Sequence, residues 1–411
     1  MLKKIRDKLS VLGPSLLWAS AAIGVSHIVQ STRAGATYGY TLILVVILAN
    51  LFKYPFFEFA TRYTVVKNET VLDGYKRIGK WAIYLYTLLT ISTMFTIQAG
   101  VTLVTAAIFE NWLNLELGLF LSSFIILLIS IVIIQIVKNN FFVRFIKILI
   151  LILVISTIAS TAITSGVEIQ IPDEFIAPEI FSYIGITFII ALIGWMPSPI
   201  DLSAWSSVWI MEKRDSDSSF NIRDNSFDFN FSYIITTILA VIFLVLGANV
   251  FYGSGAEFAG SASSFVGQLA ELYSSLGDGA RNLILLSAFS AMFSTTITCL
   301  DAFPKVLSKC SELIGTKKRS RNFFFPVVAG GTMIVILYFS TEMRKLVDLA
   351  TILSFLTSPF LAYLNYRLIY SPDFPSSFRP HPLIKALSLA GMVFLIIFSF
   401  IFLLNKLGFI F

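Results

Sequence analysis

The residues best suited to chemistry lie in one run, Gly194-Trp195-Met196-Pro197-Ser198-Pro199-Ile200-Asp201, inside a longer apolar stretch. A proline within a helix removes a backbone hydrogen bond and collides with the preceding turn. Paired prolines with an aspartate just beyond them predict a broken membrane helix, not a bent one. In lipid, freed backbone groups and a carboxylate are tolerated only where protein or a watery cavity surrounds them. Asp201 then has two readings. An unpaired buried carboxylate must protonate or find a cation, which makes it a functional acid. Alternatively it caps the half-helix that follows Pro199 by accepting from the freed amides.

A second weak point reads Ala22-Ile23-Gly24-Val25-Ser26-His27-Ile28-Val29-Gln30-Ser31-Thr32-Arg33. His27 is either a ligand or proton acceptor working near neutral pH, or a neutral ring bonded to a carbonyl of an unwound segment. His27, Asp201, Ser198 and carbonyls near Gly24 and Trp195 make a nitrogen and oxygen donor set. Such a set suits Mn, Zn or a partly hydrated hard ion, with Met196 adding a thioether if it turns inward. Asp301 follows a run of hydroxyls, Ser294 to Thr298, that suits a coupling ion or a wet path; a salt bridge to Lys305 one turn on is the plainer reading. Glu58 pairs with Arg62 at the same spacing or with Lys53, and Arg33 anchors the outer end of its span or gates it. Trp18, Trp195, Trp205 and Trp209 crowd the two weak points. Aromatic faces beside a carboxylate suit an organic cation and half-helix N-termini suit a substrate carboxylate, while ordinary packing or interfacial anchoring is the plainer reading of the tryptophans.

The elements that must position these residues are membrane spans. Of 411 residues, 56% are hydrophobic and 13% charged, against about 25% charged in an ordinary soluble protein. Apolar stretches run Leu12–Thr32, Tyr40–Val66, Trp81–Phe109, Leu117–Val137 and Phe141–Ser165, then Phe181–Ile210, Phe229–Tyr252, Asn282–Leu307, Phe323–Ser340, Lys345–Leu368 and Leu383–Leu404. Each is long enough to span when tilted. The basic start, Met1 to Ser10, leads into the first stretch without a cleavage site and reads as an uncleaved first span. The 30 Lys and Arg residues follow the loops, not one patch, so nucleic acid is not the partner the charge implies. Only Arg33, Arg281, Arg344, Lys345 and Lys406 lie on one side, and Lys53 lies within a span; the rest flank the other side. Positive residues stay inside, which puts the N-terminus in the cytoplasm and the C-terminus outside the cytoplasmic membrane.

The two interrupted stretches are the first and the sixth. Breaks at matching places in two halves point to inverted repeats of five spans with substrate between them. The fold expected is all-α, with 11 transmembrane helices in a 5+5 inverted repeat: 1–165, then 180–370, with 383–404 added. The segment Met211–Asn230 reads as a mobile connector, and a short surface helix is expected around Phe265–Leu272. Cys299 and Cys310 give no disulfide framework. No Walker, Rossmann or triad pattern marks an enzyme, and no resident cofactor is implied.

Gly13-Pro14, then Ala34-Gly35-Ala36-Thr37-Tyr38-Gly39-Tyr40, resemble the Nramp family of divalent-metal transporters. Ala60-Thr61-Arg62-Tyr63-Thr64-Val65-Val66 is similar to the end of that family's second span, and Leu353 to Phe360 to its tenth. The resemblance implies a LeuT-type fold and, for typical members, proton-coupled uptake of manganese or iron. It also marks departures. The family's Asp-Pro-Gly-Asn of the first span is matched by Gly24, Val25, Ser26 and His27. Its Met-Pro-His-Asn of the sixth is matched by Ser198, Pro199, Ile200 and Asp201. Gln98 and Val101 stand where proton-relaying carboxylates usually lie, and Thr357 where the tenth span has a glutamine. Divalent-metal import by alternating access, with a proton as coupling ion, is the function this implies. The alternatives are a transporter of a small organic solute, amine or amino acid, on the same scaffold, and a transport-inactive sensor.

Overall fold

The computed structural model describes residues 11–137, 139–164, 175–254, 261–274, 278–315, 319–407 and 409. The basic start, Met1 to Ser10, and residues 255–260 lie outside them. Among the described residues every regular element is helical. The first apolar stretch is divided into α1 (Pro14–Ala22), a π-helical turn (Ser26–Ser31) and α2 (Thr32–Tyr38). Pro14 sits at the start of α1, where its missing N–H removes no helical bond. The remaining first-half helices are α3 (Ile43–Lys67), α4 (Val71–Ile78), α5 (Lys80–Leu113), α6 (Leu119–Ile136) and α7 (Asn139–Thr164).

The sixth stretch is divided too, into α8 (Tyr183–Trp195) and α9 (Leu202–Ser216), with both prolines in the link between them. Then come α10 (Ile222–Phe251), α11 (Ala262–Ser274), α12 (Asp278–Ile314), α13 (Arg321–Phe339), α14 (Met343–Ile369) and α15 (Pro382–Lys406). Among the described residues nine helices are long and apolar enough to cross a membrane. The first and sixth stretches are not among them, because each is cut into pieces too short to span alone.

The segment expected as a mobile connector is mostly helix. α9 runs on to Ser216, and α10 opens at Ile222, where Asn221 and Asp224 cap each other's backbone amides. Phe220 between them is buried against Val65 and Ile210. Polar composition suggested a loop, but one anchored aromatic and a capping box tie the segment down. The short helix expected around Phe265–Leu272 is present as α11, although Phe265 and Val266 are buried and not at the surface.

α12 packs along α5 and α7, α10 along α2 and α3, and α14 along α8 and α5. The broken helices are therefore enclosed. α2 and α10 touch at two glycines: a Cβ on Gly35 would lie 1.9 Å from the Leu244 carbonyl, and one on Gly247 would lie 2.1 Å from that of Thr32. Small residues let membrane helices approach closely where packing, not the hydrophobic effect, drives association. Large apolar side chains such as Leu88, Leu151, Ile234 and Ile396 face outward instead, as a lipid-facing surface requires.

Candidate functional site

The two breaks face one another. Ser26 beside the first and Trp195 and Pro199 at the second line a cavity of about 20 Å3, closed by Val101 of α5 and by Thr295 and Cys299 of α12. That volume holds about one water molecule. A larger recess of about 320 Å3 opens one helical turn away, lined by Pro14 and Leu17 of α1, Arg144 and Lys147 of α7, and Trp209 and Glu212 of α9. Trp205 and Trp209, edge to face at 6.4 Å, stand between the two spaces.

The first break is built by competition for backbone groups. The Gly24 carbonyl accepts from the amides of His27 (3.1 Å) and Ile28 (2.9 Å), which turns the chain into the π-helical segment. The hydroxyl of Thr295 lies 2.8 Å from the Ser20 carbonyl and 3.0 Å from that of Ile23, serving the freed C-terminal end of α1. A Cβ on Gly24 would meet that hydroxyl at 2.6 Å, so glycine lets α12 approach the break. At the other end of α1, the amides of Gly13 and Ser15 donate to Asp228 Oδ1 (2.9 Å) and Oδ2 (2.8 Å). A carboxylate from α10 thus caps the N-terminus of α1 across the fold.

His27 is fully buried with both ring nitrogens engaged: Nε2 lies 3.0 Å from the Thr236 carbonyl and Nδ1 2.7 Å from Ser26 Oγ. A carbonyl can only accept, so Nε2 carries the hydrogen. The ring is held against α10 and presents no free nitrogen to a ligand in this state. Nor does it line the cavity. This is the carbonyl-bonded reading of His27, and it stands apart from Asp201.

Asp201 is buried at the start of α9 and makes no side-chain cap there. Its Oδ1 has no hydrogen-bond partner. The amides of Asp201 and Leu202 at the start of α9 still bear on the carboxylate, but no formed cap bond ties it to the helix. Asp201 is within electrostatic reach of Lys53 and Cys299. Among the described residues no three His, Cys, Asp or Glu side chains form a common cluster.

The other singled-out residues fall into place variously. Ser198 Oγ reaches only the neighbouring Pro199 carbonyl, at 3.3 Å. Met196 is buried but does not line the cavity. Trp195 Nε1 donates to Ser354 at 2.9 Å, so α14 meets the break through Ser354. Thr357, one turn on, bonds back to its own helix and does not reach the break. Gln98 donates to the Thr296 carbonyl and to Thr102, both at 3.2 Å, tying α5 to α12 while its Oε1 stays unpartnered. Asp301 accepts from Lys305 (2.6 Å) and from Trp209 Nε1 (2.9 Å), and Lys305 also meets Glu212 at 2.8 Å. These ties lock α9 to α12 at the end of the larger recess. Glu58 pairs with Arg62, not Lys53. Arg33 pairs with Asp348 at 3.0 Å, joining α2 to α14 at the opposite end.

Two residues that sequence reasoning had not placed here are Lys53 and Asp228, while Thr295, named only within the hydroxyl run of α12, turns out to serve the end of α1. For Lys53 the signal was present: a lone lysine inside an apolar span is a functional candidate by default. The other two act through which carbonyl or amide they meet, and spacing alone does not announce that.

Residues 15–405 match the family described as Natural resistance-associated macrophage protein-like, Nramp. An uncharacterized protein of Pasteurella multocida (strain Pm70) is 36% identical over 98% of this chain and 94% of its own length. A crystal structure of a variant of the Eremococcus coleocola manganese transporter superposes with a TM-score of 0.77 at 14% identity, covering 95% of this chain and 85% of that one. Mhp1, a nucleobase-cation-symport-1 family transporter in a closed conformation with bromovinylhydantoin bound, gives a TM-score of 0.64, also at 14% identity, with 96% and 91% covered.

Proposed function

The chain belongs to the Nramp family, and from that premise we propose that it is a secondary transporter importing a divalent metal ion by alternating access. The observation that carries the reading is Asp201: a buried carboxylate at a helix break, with Oδ1 unpartnered and no formed cap bond to α9. A charge left in that condition attracts a cation. The manganese transporter with the same fold supports a metal of that class. The 5+5 inverted repeat, a cytoplasmic N-terminus and a place in the cell membrane belong to the same proposal.

The small cavity and the larger recess, stacked along α1 and α9, supply the two ends of a route. Opening it requires the Trp205–Trp209 pair and the Lys305 ties to separate; opening the other way requires Arg33 and Asp348 to part. No enzymatic step is involved, and a gradient supplies the driving force. The third-span positions hold Gln98 and Val101, so a proton relay through carboxylates there is absent from this chain; any proton coupling runs elsewhere.

A second reading, a small organic solute, rests on a different observation. The cavity is walled by Trp195, Trp205 and Pro199, and Trp205 Nε1 keeps a hydrogen with no acceptor. A metal ion cannot satisfy a donor, whereas a carbonyl or carboxylate of an organic solute can.

Uptake by purified protein in proteoliposomes separates the two. Saturable flux of Mn2+ that is lost in Asp201→Ala supports the metal reading. Absence of flux and of binding heat with every divalent metal, together with uptake of an amine or amino acid, replaces it with the second.

A further inference from the structure

Lys53 lies in the interior of α3 and is fully buried. Its Nζ donates to the carbonyl oxygens of Ile193 at 2.6 Å, Gly194 at 2.8 Å and Ser198 at 3.2 Å. The first two belong to the last turn of α8, where the helix dipole gathers negative charge, and the Ile193 oxygen also accepts from the Met196 amide at 3.2 Å. The third belongs to the link between the two prolines. Three backbone oxygens converging on one point is the arrangement by which an unwound membrane helix holds a bare cation. An ammonium brings three N–H donors to those three acceptors; a neutral amine would bring two and turn its lone pair on the third oxygen.

We propose that the Lys53 ammonium is a built-in cation, occupying a monovalent-cation site formed by the Ile193, Gly194 and Ser198 carbonyls. A free ion would have to leave with each turnover. This one is tethered to α3 by its own side chain. Gly194 cannot be spared at this place, since a Cβ there would sit 2.4 Å from the Thr351 carbonyl of α14. Its carbonyl is thereby held toward α3 between two neighbours. Asp201 lies within electrostatic reach of Lys53 but forms no ion pair with it, so its carboxylate stays open to a cargo cation. Two consequences follow. The transporter needs no sodium or potassium ion at this break, and a cargo cation must rely on the Asp201 side of it, not on these three carbonyls.

Removing the ammonium while keeping the side chain's bulk should create the site for a free ion. The test is the melting temperature of the purified full chain in choline, sodium or potassium chloride at equal ionic strength. Wild type and Lys53→Arg are expected to melt alike in all three salts. Lys53→Met is expected to gain a saturable rise of several degrees in sodium or potassium over choline, or to be recoverable only when one of those ions is present. A folded Lys53→Met that ignores the salt overturns the proposal, as does one that cannot be recovered in any salt. So does a wild type that itself responds saturably to sodium or potassium. None of these outcomes depends on which cargo is carried, so they are distinct from a failure of the metal reading in the uptake assay.

Discussion

At the scale of single residues, burial alone does not mark a working group; its partners do. Asp201 and His27 are both polar, buried and next to a break, yet one has an orphaned oxygen and the other has both nitrogens satisfied. Opposite outcomes are expected on substitution. Asp201→Asn removes an uncompensated charge and nearly preserves shape, so the melting temperature should hold or rise while Mn2+ binding falls at least about tenfold, a loss of about 1.4 kcal/mol. His27→Ala leaves the Thr236 carbonyl without its donor and should cost about 1–3 kcal/mol of stability. Its Mn2+ affinity, read by calorimetry on the surviving folded fraction, should be unchanged. A folded His27→Ala that loses binding at full stability would make the histidine a ligand after all.

At the scale of elements, the half-helices are held by groups that other helices supply. Thr295 serves the carbonyl end of α1, Lys53 that of α8, and Asp228 the amide end of α1. Each such end would otherwise bury unpaired backbone groups, which apolar surroundings penalise. Asp228→Ala should therefore loosen α1 at its N-terminus, costing about 1–2 kcal/mol as lost caps do. Hydrogen exchange should quicken at the amides of Gly13 and Ser15 to Leu17 and stay the same in α2. Because α1 also lines the larger recess, the same substitution should raise the accessibility of a cysteine placed at Leu17 to a cytoplasmic thiol reagent.

At the scale of the whole molecule, the ties sort into two ends. Arg33 and Asp348 close one; Lys305 with Asp301 and Glu212 closes the other, where Arg144, Lys147 and Lys213 also gather. If the basic end is cytoplasmic, a phosphatase fused after Phe411 should be active outside the cell, and a fluorescent protein fused there through the secretory route should be dark. The reverse result would invert the proposed topology and exchange the inner and outer gates.

Much of this was legible in the residues themselves. The low charge and repeated apolar stretches determine a membrane protein. Pro197 and Pro199 determine a break in the sixth stretch because two amide hydrogens are lost within one turn, whereas single prolines such as Pro55 and Pro359 lie inside continuous helices. Gly24 and the polar run after it determine the other. What tertiary structure alone decided is the state of each polar group at those breaks. The sequence offered Asp201 as acid or cap and His27 as ligand or bonded ring; only the positions of α10 and α9 show which bonds each of them makes. It offered Lys53 as a partner for Glu58, five residues on, whereas the fold turned Lys53 inward onto carbonyls 140 residues or more along the chain. Hydrogen-bond partners are set by contacts between distant segments, and neither periodicity nor composition encodes which carbonyl a buried ammonium will meet.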